Sequence, residues 1–375
     1  MDFSYSEEQQ LLQNSVSKFI QQDYDFDRRC KIVNSDIGFS QENWQLFAEL
    51  GWLMVPFKVE DGGLGGFAVD LMVVMEEFGR GLVVEPFLAC AVLSGGLIAD
   101  GASEAQKREL LGLLIEGQLQ LAFAFAEPQS RYNLADITTT AVLDGDSYIL
   151  NGHKAVVLNG GAADKLLVSV RTSGAQQDCD GITLLLVDTN TAGLHRHEYA
   201  TVDGHRAAEI KFNNVKVPIA NRVGGEGTAL PVIGKAIDRA TLALCAEAVG
   251  AMEKIYKKTV EYTKTREQFG VAIGKFQALQ HRMVDMFTEY EQARSVLLMA
   301  ALKMDANKGV APKAVSAAKS RIGKAARLIG QEAIQLHGGI GVTEELDVGH
   351  FFKRLTTVQY IFGSTDFHTL RFAGH

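Results

Sequence analysis

The sequence predicts a mostly α, α+β fold: an N-terminal helical domain over residues 1–120, a central β-barrel or sandwich domain over 121–225, and a C-terminal four-helix bundle over 226–375. Three observations predict it. Apolar residues recur at helical spacing in the first third. From about Leu121 the pattern changes to short β-rich runs between turn residues. From Pro231 long amphipathic segments return.

The first helix is announced by Ser6 and Gln9, a capping-box pair, followed by Leu11, Leu12, Val16, Phe19 and Ile20. Helical spacing continues over Asn43–Leu50 and Val69–Gly79. Between them, Glu60-Asp61-Gly62-Gly63-Leu64-Gly65-Gly66 reads as a turn, because no Gly-Lys-Ser/Thr ending follows to make a phosphate cradle. The β-region opens with the Thr-rich run Asp136–Leu143 and turns at Asp144-Gly145-Asp146 and Asn151-Gly152. Lys154–Leu158, Lys165–Val170, Ile182–Val187 and Ile210–Val217 supply further strands. Three long helices follow, from Pro231 to Thr265, from about Phe276 to Met304 and from about Pro312 to Leu336. Short connectors imply antiparallel packing, with a last helix near Asp366–Phe372.

Composition sets the functional class. With 47% hydrophobic and 22% charged residues and a net charge of −8, the chain lacks the basic footprint that nucleic acid requires. No apolar run is long enough to span a bilayer, and the start shows no signal-peptide pattern, so a cytoplasmic protein is expected. Cys30, Cys90, Cys179 and Cys245 are widely spaced and form no CxxC pair, which suits free thiols in a reducing compartment. His195 and His197 flank Arg196 in a strand-like run, but no further ligands accompany them, so no metal is expected.

Two segments carry chemistry. In Thr265-Arg266-Glu267-Gln268-Phe269-Gly270, followed by Ile273-Gly274-Lys275-Phe276-Gln277, the Arg fork suits a pyrophosphate and the Phe suits a purine. A helix end with a basic cap explains the same residues more plainly. In Gln335-Leu336-His337-Gly338-Gly339-Ile340-Gly341, the paired glycines let a ligand approach the backbone, or simply stop a helix. An antiparallel bundle brings the two segments to one end.

Together these segments resemble the acyl-CoA dehydrogenase family, over nearly the whole chain. The resemblance implies FAD as cofactor and an acyl-CoA thioester as substrate. Its Arg-x-x-Phe-Gly and Gln-x-x-Gly-Gly segments contact the adenosine and pyrophosphate of a neighbouring subunit's FAD. That assigns Arg266, Gln268, Phe269, Gln335, Gly338 and Gly339, with Ile273 a weaker carry-over. Within the family the chain is similar to those described as small subunits of pimeloyl-CoA dehydrogenase, through Leu244–Met252, Phe276–His281 and His350–Thr356. That implies a second, dehydrogenase-like subunit as partner; self-association as a dimer or tetramer is the alternative.

Departures from the family pattern bear on mechanism. Taking the α-proton requires a carboxylate beside the α-carbon. Relatives keep a Glu before a Gly near the C-terminus; here Phe362 precedes Gly363. Asp238 matches the family's pantetheine-contacting aspartate, which puts the alternative base position on Ala240, followed by Thr241 where Arg is usual. Asp366 lies one helical turn after Phe362 and is the fallback candidate, though a cap of the last helix accounts for it. Glu247 lies about 10 Å along the helix from Ala240, and Glu127 beside Pro128 reads as structural. The β-domain departs too. Ala126-Glu127-Pro128 leads to Arg131-Tyr132-Asn133, and Val156, Val157 and Leu158 stand before Asn159, where relatives place flavin-facing aromatic and hydroxyl residues. An unpartnered buried polar atom costs about 1–3 kcal/mol. Three readings follow: a half-site subunit of a heteromeric dehydrogenase, a self-sufficient dehydrogenase or oxidase with a relocated base, and a flavin-free acyl-CoA-binding or assembly protein.

Overall fold

The structure, a computed structural model, describes residues 4–307 and 311–374. Helices α1 Glu7–Asp23, α2 Phe26–Val33, α3 Gln41–Glu49, α4 Ala68–Gly81, α5 Gly96–Gly101 and α6 Glu104–Ile115 come first, with a π-helical stretch at Leu88–Gly95. Strands β1 Leu121–Ala124, β2 Thr140–Asp144, β3 Ser147–Leu158, β4 Lys165–Arg171, β5 Ile182–Asp188, β6 Leu194–Ala200, β7 Arg206–Pro218 and β8 Arg222–Val223 follow. After α7 Leu230–Thr265 come the hairpin strands β9 Glu267–Gln268 and β10 Val271–Ala272. Helices α8 Gln277–Ala306, α9 Pro312–His337, α10 Asp347–Val358 and α11 Thr365–Gly374 end the chain. The helical, β, helical order is the one the periodicity predicts. Helices α2, α5, α6 and α10 and the π-helical stretch are additions to it.

The chain packs as two compact units. One comprises Met1–Lys31, Ala68–Val83 and Thr241–His375; the other comprises Ile32–Phe67 and Val84–Ala240. In the first, the Ser6 capping box forms as expected, with Gln9 N donating to Ser6 Oγ at 3.2 Å and Ser6 N to Gln9 Oε1 at 3.0 Å. Helix α4 is buried without a break from Leu71 to Gly79. Its first two amides, Ala68 and Val69, donate to the Asp305 carboxylate at 2.6 and 3.2 Å, which closes its N-terminus. Helix α9 carries Pro at its first position and packs against α8, α10 and α11 through a buried run of small residues, including Ala318, Ala325, Ala326 and Ala333.

The second unit holds one hydrogen-bonded sheet in the order β6-β7-β3-β2-β4-β5-β8, with β1 parallel to β4. Tyr148, Leu150, Val168, Leu185, Ile210 and Phe212 form its core. The Glu60–Gly66 loop is a packing turn. A Cβ on Gly63 would lie 2.1 Å from the Phe57 carbonyl oxygen, so only glycine fits there.

Candidate functional site

The Arg266 segment is more than a capped helix end. Helix α7 stops at Thr265, and the chain folds into the β9–β10 hairpin, whose two tip residues are both left-handed: Phe269 at φ +56° and Gly270 at φ +80°. Ile273 N donates to Arg266 O at 2.8 Å and closes the hairpin base. The turn holds Phe269 out into solvent, 92% exposed, in edge-to-face contact with Phe276. Arg266 and Gln268 are exposed on the same hairpin, and Ile273 is half-buried.

The second segment lies at the same end of the bundle. The Tyr262 ring near the end of α7 stacks on His337 at the end of α9, with centroids 4.3 Å apart. His337 is buried and held by Ala333 O at 2.8 Å, and burial lowers its pKa. Beside this stack, Lys258 binds Asp347. Gln335, Gly338 and Gly339 are exposed just beyond it. Gly338 sits at φ +65°, and a Cβ built on Gly338 or Gly339 meets no atom within 4 Å. The paired glycines therefore face open space where a ligand can approach the backbone, beside a hairpin carrying an Arg fork and an exposed ring. These residues fit the adenosine and pyrophosphate of FAD.

The expected base positions carry no acid. Phe362 is buried and left-handed at φ +59°, an uncommon conformation for a residue with a bulky side chain. Two buried side chains hold this turn. His368 Nε2 lies 3.0 Å from Phe362 O, and its Nδ1 lies 3.3 Å from Ser316 Oγ. Burial pushes His368 down to about 4, so at neutral pH the ring is uncharged. Lys319 Nζ donates to Gly363 O at 2.7 Å, Val358 O at 2.8 Å and Gln359 O at 3.3 Å, closing the end of α10. Gly363, at φ +125°, is required: a Cβ there would lie 2.4 Å from His368 Nε2. Asp366 is exposed in the first turn of α11, where its charge favours the helix dipole. On α7, Asp238, Ala240 and Thr241 are all buried. Glu247 is not available as a base, because Arg354 takes both of its oxygens at 2.5 and 2.8 Å.

In the sheet, Glu127 is structural. Lys154 Nζ, fully buried, donates to it at 2.8 Å, and Thr138 N, Thr139 N and Gln129 Nε2 complete its shell. Burial alone would raise the Glu127 pKa, but Lys154 and these donors outweigh it and hold the carboxyl down to about 2. Val156 lies in a bulge of β3 against β7, at φ +52°, with its side chain exposed. On the neighbouring strand Glu209 meets His153 Nε2 at 2.5 Å, and burial raises the Tyr199 pKa, with the Glu209 charge adding to the shift. Leu158, at the end of β3, supplies no hydroxyl. The residues at the bulge do not fit a flavin ring as the adenosine-end residues fit their group. His195 and His197 lie on the edge strand β6 and are exposed. Among the described residues no group of three or more His, Cys, Asp or Glu is placed to hold a metal. No described helix is long and apolar enough to cross a membrane. The sequence reading missed Tyr262, Lys319 and His368; only contacts across the fold mark them.

Comparison with known proteins gives a consistent result. Family models for the acyl-CoA dehydrogenase N-terminal, middle and C-terminal domains match residues 6–118, 122–215 and 227–374. Mitochondrial isovaleryl-CoA dehydrogenase of Pongo abelii is 30% identical over 359 residues, covering 93% of this chain and 84% of that one. An FAD complex of PigA superposes with a TM-score of 0.92 at 27% identity, covering 100% of this chain and 98% of the other. The Tcur3481-Tcur3483 steroid ACAD superposes with a TM-score of 0.87 at 28% identity, covering 98% and 97%.

Proposed function

The chain belongs to the acyl-CoA dehydrogenase family, an FAD-dependent oxidoreductase family, and we propose that it is the partner subunit of a heteromeric member, supplying the adenosine end of an FAD site while a second subunit supplies ring pocket and base. One observation carries the proposal: the residue before Gly363 is a buried phenylalanine, not a carboxylate. A phenyl ring cannot accept the α-proton. Ala240 leaves the alternative position equally empty. The nearby carboxylates do not support a relocated base, because Glu247 is engaged by Arg354 and Asp366 is exposed at a helix start.

When bound, FAD would accept the hydride from the acyl β-carbon. This chain's own residues have a supporting part. Arg266 would neutralise the pyrophosphate with its fork, Phe269 would offer its exposed ring to the adenine, and the open backbone of Gly338 and Gly339 would let the group approach. A side chain at either glycine would intrude on that space. Substituting Arg266→Ala removes a charge-assisted bond and is expected to weaken FAD by about 1.5–3 kcal/mol. The flavin-to-protein ratio after gel filtration near the dissociation constant measures this; an unchanged ratio counts against the assignment.

The partner reading has its own test. The flavin-loaded lone chain is assayed with an artificial electron acceptor on acyl-CoAs of several lengths. Dicarboxylyl thioesters are included because the sequence motifs resemble those of pimeloyl-CoA dehydrogenase small subunits. General-base catalysis is worth roughly 10²–10⁴-fold, so turnover is expected far below the enzyme median of about 10 s⁻¹. Adding a second acyl-CoA dehydrogenase-like chain that carries the glutamate is expected to restore it. Turnover near about 10 s⁻¹ by the lone chain overturns the proposal and makes Asp366 the first residue to mutate.

A further inference from the structure

We propose that Glu76 is a proton-linked latch: with its carboxyl neutral, α4 packs tightly against α7 and α8, and ionisation of that one group loosens the packing. The group is far in sequence from every residue assigned above. Its side chain is 2% exposed. Oε2 lies 3.2 Å from Arg80 Nη2, while Oε1 has no hydrogen-bond partner. Arg80 is also shared, since it binds Glu77 and, at 2.5 Å, Glu253. Three carboxylates therefore compete for one guanidinium, and Glu76 has the longest contact.

The remaining oxygen, Oε1, is buried, and the Glu76 backbone is pressed against α7. At the helix crossing, a Cβ on Gly250 would lie 1.8 Å from the Glu76 carbonyl oxygen. The charged and titratable groups around Glu76 come from every neighbouring element. Helix α4 gives Glu77 and Arg80, and α7 gives Glu253, itself bound by Lys257 at 2.5 Å. Helix α8 gives Tyr290 and Arg294, and the segment before α1 gives Tyr5. From α1, the uncharged Gln13 donates to Glu77. Burial dominates this balance and pushes Glu76 up to about 7; Glu253 and Glu77 add to the shift, and Arg80 and Arg294 oppose it.

The folded pKa is raised, so the neutral form favours folding. That contribution is full below the unfolded value of about 4.3 and is lost as pH rises through about 7. Three histidines act oppositely. The buried His337 and His368 and the half-buried His350 are lowered by desolvation, so their contribution is lost as pH falls. The wild-type curve alone mixes both effects, and the comparison with a neutral substitution isolates Glu76.

The experiment compares the full chain with Glu76→Gln by denaturant unfolding across neutral and mildly acidic pH. The ratio of wild-type to variant unfolding constants is expected to climb toward pH 7, by roughly tenfold per unit where steepest, and then level. Amide exchange in α4, corrected for intrinsic rates, is expected to slow in the variant above neutrality. A ratio that stays constant with pH overturns the proposal. Should Gln destabilise for its own reasons, the pH dependence of the ratio still decides, and Glu76→Met, neutral and of similar length, must show the same trend.

Discussion

Replacing Arg354 with alanine is expected to destabilise the protein by about 3–5 kcal/mol, the cost of stranding a buried charge. Arg354 on α10 and Glu247 on α7 form a bidentate pair, Nε to Oε1 at 2.5 Å and Nη2 to Oε2 at 2.8 Å, with side chains 4% and 5% exposed. Surface pairs are worth about 0–1 kcal/mol because water screens them. This pair is out of water, so each partner exists to offset the desolvation of the other. Denaturant midpoints of Arg354→Ala and of the double variant Arg354→Met/Glu247→Leu measure the effect. The double variant should lose less than the single one, because it buries no unpaired charge. If the single variant loses under about 1 kcal/mol, the Arg354–Glu247 pair does not hold the two helices together and the exclusion of Glu247 as a base fails with it.

That pair shows where sequence reading stops. Glu247 was visible as a candidate because its helix spacing relative to Ala240 could be counted. Its partner lies 107 residues away on a helix the periodicity did not reveal. Lys319 is a similar case. Within an amphipathic helix a lysine reads as solvated, yet this one is buried and closes α10 through three carbonyls. Local signals were readable because their causes are local. The Ser6 capping box needs only four residues, and the long helices α7, α8 and α9 repeat their pattern over many turns. The two chemistry-bearing segments were readable as motifs, and their meeting at one end of the bundle was an inference from helix length. The Tyr262–His337 stack supplies the contact behind it. The positive φ of Val156 and Phe362 was not readable, since neither side chain favours that conformation and tertiary contacts impose it.

Substituting Gly250→Ala is expected to cost about 3 kcal/mol net, the upper end of core overpacking. Helices α4 and α7 meet through two reciprocal glycines. A Cβ on Gly250 would lie 1.8 Å from the Glu76 carbonyl oxygen, and one on Gly79 would lie 1.9 Å from the Glu247 carbonyl oxygen. Both obstacles are backbone, so no rotamer change relieves them and the helices must part. Alanine gains about 1 kcal/mol of helix propensity over glycine, which the clash exceeds. Gly234, on the same α7, is the control: a Cβ there meets nothing within 4 Å, so Gly234→Ala should stabilise by about 1 kcal/mol. The double variant Gly79→Ala/Gly250→Ala should lose less than the sum of its parts, because separating the helices for one methyl makes room for the other. Denaturant midpoints at constant slope of these variants and of Gly79→Ala alone report the effects, and a Gly250→Ala midpoint matching that of Gly234→Ala would show that the helices do not touch. The separation also admits water beside Glu76. In the Gly250→Ala background, the pH-dependent gap that Glu76→Gln opens should therefore narrow.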